Sequence, residues 1–196
     1  MAPSWSAKRT LLAAAGLILS AYALYVEHRV AEEAQHQHDD APQPFVALCD
    51  IEAIGASCSA VFALPQGRML SYFGVVPEGS VLDLPNAALG LAHYAYLLTV
   101  QAALLLLMSK KKSRFAEAVR PLTHVAVTAA LASTLFLAYQ LTFVIFELCV
   151  LCWSTHVINA YTFYDHFFAG AGVGAAAAAI PASSSGINGT DKKKSS

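Results

Sequence analysis

The sequence predicts an all-α membrane protein: a four-transmembrane-helix bundle with one long loop that carries a cysteine pair. Three observations predict it. Charged residues make up only 13% of the 196 positions and 57% are hydrophobic, where a soluble domain has about a quarter charged. Three apolar blocks, at 86–108, 121–146 and 148–168, and a shorter one at 11–26 punctuate the chain. A bilayer takes about 20 apolar residues to cross. The basic residues are also segregated: ten of the twelve Lys and Arg fall in 8–9, 110–120 and 192–194.

The 11–26 block is the element that needs argument. Lys8 and Arg9 precede it, and Ala21-Tyr22-Ala23 has the small-x-small form of a signal cleavage site. The apolar core nevertheless runs on through Leu24, Tyr25 and Val26, which predicts an uncut anchor. Segment 27–85 follows, holding nine of the thirteen acids and only Arg29 and Arg68 among the bases. By the positive-inside rule both termini and the 110–120 loop are cytosolic. Segment 27–85 and the turn at Glu147 then face the other side. Within 27–85, residues 35–40 (QHQHDD) lack thiolates and fixed spacing, so a solvated linker is expected there and no metal site. Stretches 45–54 and 61–76 suit short helices or a hairpin on the bilayer surface.

The 1–169 region is read as one transmembrane domain, and 170–196 as a disordered cytosolic tail. A sequon at Asn188 would stay bare there. Lys193-Lys194-Ser195-Ser196 has the form of a di-lysine retrieval signal, weighed evenly against a plain solubilising tail. The net charge of −1 and the absence of a basic stripe argue against nucleic acid.

All four cysteines, Cys49, Cys58, Cys149 and Cys152, fall on the non-cytosolic side, where disulfides are the natural state. Cys149-x-x-Cys152 opens the last apolar block. On a helix, Cys149, Cys152, His156 and Asn159 would share an arc of about 80°, with His156 about 10 Å below Cys149. Polar side chains at that depth are functional candidates; the plain alternative is hydrogen bonding between helices. A dithiol at a helix N-terminus has a stabilised thiolate. Inert core cysteines are one rival. A Cys₄ zinc site is another, but the eight residues between Cys49 and Cys58 are too open for a zinc knuckle. A dithiol at the edge of an apolar bundle can meet soluble thiols on one side and a lipid-soluble oxidant on the other. The loop pair can feed it by exchange. The residues therefore read as a membrane thiol–quinone oxidoreductase.

Four stretches together resemble the vitamin K epoxide reductase family: SAYALYVEH, LCDIEAIGASCSAVF, VLDLPNAALG and FELCVLCWSTHVINAY. The resemblance implies a lumenal cap over a quinone pocket, in a monomer of the endoplasmic reticulum membrane with no permanently bound cofactor. Vitamin K epoxide and vitamin K quinone would be its substrates. It implies that Cys152 attacks the substrate, and that Cys149 exchanges with Cys58 through a transient Cys58–Cys149 disulfide. The resting pairs would be Cys49–Cys58 and Cys149–Cys152. Cys49 would take electrons from a thioredoxin-like lumenal protein, supplied in trans because a short tail follows the last span.

Asn86 matches an asparagine that bonds a quinone oxygen, with helix N-capping as its other use. Phe62 matches an aromatic on the quinone ring, or else makes an ordinary apolar contact. Tyr94 matches a pocket-side tyrosine, or else lies at the membrane interface.

There are three departures. His156 stands where the family has tyrosine, and would polarise the second ring oxygen. The Cys49–Cys58 loop is one residue longer than in the vertebrate members. Gln66-Gly67-Arg68 replaces tryptophan-glycine-arginine. They bear on substrate preference, cap closure and binding of warfarin-like anticoagulants more than on the redox chemistry. Two other functions fit the same residues: a quinone-dependent oxidase of lumenal proteins, and a non-enzymatic scaffold with structural disulfides.

Overall fold

A computed structural model describes residues 5–36, 45–107 and 109–169. Most of the 35–40 tract and the whole 170–196 tail, with its sequon and di-lysine ending, lie outside the described residues.

The described chain is mostly helical. It contains α1 (Trp5–His36), α2 (Cys58–Phe62), α3 (Met69–Tyr72), α4 (Asn86–Leu106), α5 (Ser109–Tyr139) and α6 (Val150–Tyr164). No strand occurs among the described residues, only two isolated bridges, Ile51 with Ala56 and Ala56 with Leu148. Three segments are long and apolar enough to cross a membrane: Ala7–Ala34, Asn86–Leu106 and Arg114–Ile145. The 148–168 block gives a shorter helix than expected. α6 has 15 residues, about 22 Å at 1.5 Å per residue, and a π-helical turn, Asp165–Ala169, prolongs it.

Two further elements differ from the sequence expectation. α1 runs for 32 residues, because the polar stretch after Val26 is made of good helix formers and simply continues the helix. The basic 110–120 segment is not a loop but the opening turns of α5. The chain reverses instead at Leu107, whose extended backbone (ψ 139) ends α4. Pro121 sits inside α5, where it has no backbone N–H to donate but does not stop the helix.

α1 packs most extensively along α4, and small residues allow it. A β-carbon at Gly16 would overlap the Tyr94 ring, and one at Gly90 would lie 2.9 Å from Ser20 Oγ. Close approach through small residues is how helices associate where water provides no drive. Large apolar side chains such as Leu11, Ile18, Leu122, Val125, Leu135 and Val157 point outward, as a lipid-facing belt would.

α5 ends in a π-helical turn, Gln140–Ile145, and then at Phe146, held in the left-handed region at φ 57. That residue turns the chain sharply into the extended Glu147–Cys149 stretch. Two buried clusters result. One gathers Ala23, Val26, Ala87 and Leu141 around Cys49, Cys58 and Cys149; the other joins Ala13, Tyr94, Leu97 and Val127 further along the helices.

Candidate functional site

The cysteines are brought together by backbone pairing that no periodicity reveals. Ser57 N–H donates to the Leu148 carbonyl at 2.9 Å, next to the Ala56–Leu148 bridge. That pairing sets Cys58, the first residue of α2, against Cys149, the residue before α6. Their sulfurs are 3.8 Å apart. Cys49 is bonded to Cys58 with Cα atoms 5.8 Å apart, and Cys149 to Cys152 at 5.3 Å.

Cys149 departs from the expected helical arc. It is the N-cap of α6, with extended backbone (φ −108, ψ 104), and its sulfur accepts the Cys152 N–H at 3.2 Å. Its side chain therefore turns toward the loop, while Cys152, His156 and Asn159 share a cavity wall. This division separates the faces of the dithiol: Cys149 toward Cys58, Cys152 toward the cavity.

Asp50 organises the loop pair, a role that adjacency to Cys49 alone does not reveal. Its carboxylate accepts the N–H groups of Ala47 (2.8 Å), Cys58 (2.6 Å) and Ser59 (3.0 Å), and the Ser59 hydroxyl. One side chain thus ties together the two ends of the Cys49–Cys58 ring. The intervening residues fold back through paired Ile51–Ala56 hydrogen bonds, with Gly55 at φ 65 making the turn that a β-carbon would strain. The Tyr22 hydroxyl accepts the Leu48 N–H at 2.8 Å and pins the loop to α1.

Burial acts to raise the Asp50 pKa, but the Ser59 hydroxyl and the backbone N–H groups outweigh it and hold the carboxyl below its usual range. A depressed carboxylate stabilises the loop above the unfolded value of about 4, and that stability drains as pH falls through the lowered folded value. Asp50→Ala is expected to destabilise the loop by about 1–3 kcal/mol, the cost of leaving donors without partners. Amide exchange at Cys58 and Ser59 should accelerate accordingly; unchanged exchange there would show that the carboxylate does not hold the ring.

A cavity of about 590 Å³ lies beside the dithiol. Its wall includes Cys152, Phe62, Asn86, Tyr94 and His156, so all four residues expected at a substrate site meet there with the dithiol. The partners of Asn86 differ from the expectation. It occupies the first position of α4 and caps nothing in it. Instead its Oδ1 accepts the Met69 N–H at 2.9 Å, and its Nδ2 donates to the Gln66 carbonyl at 2.7 Å. Asn86 thereby clamps the 65–72 segment over the cavity. Arg68 adds a second clamp, donating to the Asp83 carbonyl at 2.6 Å.

The Tyr94 hydroxyl donates to Asn159 Oδ1 at 2.7 Å, and Asn159 Nδ2 to Thr134 Oγ1 at 2.9 Å. This chain joins α4, α6 and α5, so Asn159 serves the interhelical role that its sequence context allowed. His156 is buried, with Trp153 edge-on at 5.8 Å, and its Nε2 has no hydrogen-bond partner among the described residues. Among the same residues no cluster of His, Cys, Asp and Glu could hold a metal ion. The four cysteines of the zinc alternative are paired as disulfides.

Comparison with known proteins gives a concordant picture. The sequence profile of the Vitamin K epoxide reductase family matches residues 9–166. The chain is 33% identical over 156 residues to "Vitamin K epoxide reductase complex subunit 1" of Rattus norvegicus, covering 78% of this chain and 82% of that protein. The protein of the same name from Mus musculus is 32% identical over 155 residues, 77% of this chain and 81% of that one.

Proposed function

Because the chain belongs to the vitamin K epoxide reductase family and is an oxidoreductase, we propose that it reduces vitamin K epoxide to the quinone and the quinone to the hydroquinone. The single observation that carries this reading is the placement of the dithiol. Cys152 lines an apolar cavity large enough for a naphthoquinone ring, and Cys149 lies 3.8 Å from a sulfur of the loop pair.

The chemistry balances on these atoms. The Cys152 thiolate attacks an epoxide carbon; a C–S bond forms, the C–O bond opens, and the oxygen takes a proton. The Cys149 thiolate then attacks the Cys152 sulfur and forms the Cys149–Cys152 disulfide. The carbon keeps the electron pair and expels the hydroxyl, which leaves as water, giving the quinone. In a second round two thiols deliver two electrons and two protons to the quinone, giving the hydroquinone and the disulfide again. Resetting begins when a reduced Cys58 attacks Cys149 and frees Cys152. Cys49 then closes on Cys58, and a thioredoxin-like dithiol protein reduces the Cys49–Cys58 bridge.

The cavity residues have matching tasks. His156 polarises one ring oxygen, Phe62 packs against the ring, and Tyr94 keeps the wall in register. Asn86 keeps one amide N–H available for the other oxygen while it holds the cap. The protein acts as a monomer with four spans in the endoplasmic reticulum membrane. The cysteine end is lumenal and both termini are cytosolic.

The deciding experiment is turnover of the purified full chain, in detergent or nanodiscs, with dithiothreitol and vitamin K epoxide. Quinone and then hydroquinone should form, with one dithiol consumed per two-electron step. No product from either substrate would exclude the reading.

A further inference from the structure

His93 lies outside every motif quoted above, yet it stands seven residues after Asn86 and so on the same face of α4, about 10 Å further along the axis. It lines the cavity that Cys152 faces. Its ring packs edge-on against Tyr94 at 5.2 Å, and its Nε2 is buried with no hydrogen-bond partner among the described residues. Buried polar atoms are nearly always bonded, so an orphan on a cavity wall calls for a reason.

The other polar groups of the cavity narrow that reason. Asn86 has given one N–H and its oxygen to the cap, and the Tyr94 hydroxyl is committed to Asn159. Four buried atoms of lining residues lack partners among the described residues: His93 Nε2, His156 Nε2, Gln66 Oε1 and Gln140 Oε1. The two amide oxygens only accept. The two imidazoles donate when the proton is on Nε2.

They are also matched in depth. His93 is seven residues from the start of α4 and His156 six from the start of α6, about 9–11 Å along helices that the Tyr94–Asn159 bond holds in register. A para-quinone carries two acceptor oxygens at opposite ends of its ring. It would satisfy a pair of donors reaching in from two helices.

Resting on the quinone reading of this cavity, we propose that His93 is a further substrate-binding donor, acting beside His156 and the remaining N–H of Asn86 on the ring oxygens. An orphan donor has a cost in the empty protein and is useful only once the ligand arrives. The two consequences oppose each other, which gives the test.

His93→Phe keeps an aromatic ring and removes the donor; His93→Gln keeps a donor. With vitamin K quinone and dithiothreitol, His93→Phe should raise KM by about 2- to 12-fold, the range of one neutral hydrogen bond, and His93→Gln should recover part of it. Without quinone, the thermal midpoint of His93→Phe should equal or exceed that of the wild type, because an unpaired buried nitrogen has gone. Quinone quenching of Trp153, beside His156, reads binding independently of turnover.

The outcomes separate the two ideas. Wild-type protein that binds but does not reduce quinone overturns the proposed activity, and the quenching titration still decides His93. Active wild type with equal KM in His93→Phe overturns the role given to His93. A lowered midpoint with unchanged quenching would make it a packing residue. No quenching of the wild type would remove both.

Discussion

Replacing Cys152 with alanine is expected to abolish reduction of both vitamin K epoxide and quinone, whatever thiol supplies the electrons. Of the four cysteines only Cys152 lines the cavity, while Cys149 is fully buried against Cys58. Among the described residues no other thiol lies on that wall, so the substitution removes a covalent pathway rather than one contact. Activity should drop by roughly 10³-fold or more, since no alternative step of similar barrier replaces it. Cys149→Ala should behave differently. Its Cys152 still attacks but lacks the partner that expels product, so a stable mass adduct of protein and substrate should accumulate. Residual activity above about a tenth of wild type in Cys152→Ala, far more than loss of a nucleophile allows, would assign the attack to another sulfur.

The elements that follow from periodicity and charge were legible, and those that follow from long-range pairing were not. The apolar blocks at 86–108 and 121–146 appear in α4 and α5 because a run of apolar residues can only become a helix in lipid. The 110–120 segment misled because the basic residues that mark a membrane boundary are also strong helix formers; charge located the boundary but not the helix start. Helical geometry foretold that Cys152, His156 and Asn159 share a wall. It failed for Cys149, whose extended backbone is set by the Ala56–Leu148 bridge, a contact with a segment more than ninety positions earlier.

Asp50 was hidden for the same reason: its partners Ala47, Cys58 and Ser59 are neighbours only once the loop has closed. His93 did leave a signal, being one heptad after Asn86. A histidine on an apolar face also has many ordinary explanations, and only the missing partner of Nε2 sets it apart.

The loop pair gives the second large effect. Cys58 and Cys149 are wholly buried, whereas Cys49 is 8% exposed and has on either side of it Leu48, 88% exposed, and Asp50, partly exposed. A protein donor can therefore approach Cys49 but not Cys149, and its electrons must pass through the 3.8 Å Cys58–Cys149 contact. A small dithiol such as dithiothreitol has another route, through the cavity to Cys152. Cys49→Ala should then lose roughly 100-fold or more of the activity driven by a thioredoxin-like protein, while dithiothreitol-driven activity stays within about 3-fold, since exchange depends on access to the attacked sulfur.

The variant also makes a distinct covalent prediction. With Cys49 gone, the Cys58 thiolate has no resolving partner and faces Cys149. It should attack the Cys149–Cys152 bridge and stop there, leaving a Cys58–Cys149 disulfide and a free Cys152. Peptide mapping without reductant should find that bridge, and dithiothreitol should clear it as activity returns. Equal loss with both donors, or an intact Cys149–Cys152 bridge beside a free Cys58, would show that electrons do not travel from the loop to the helix.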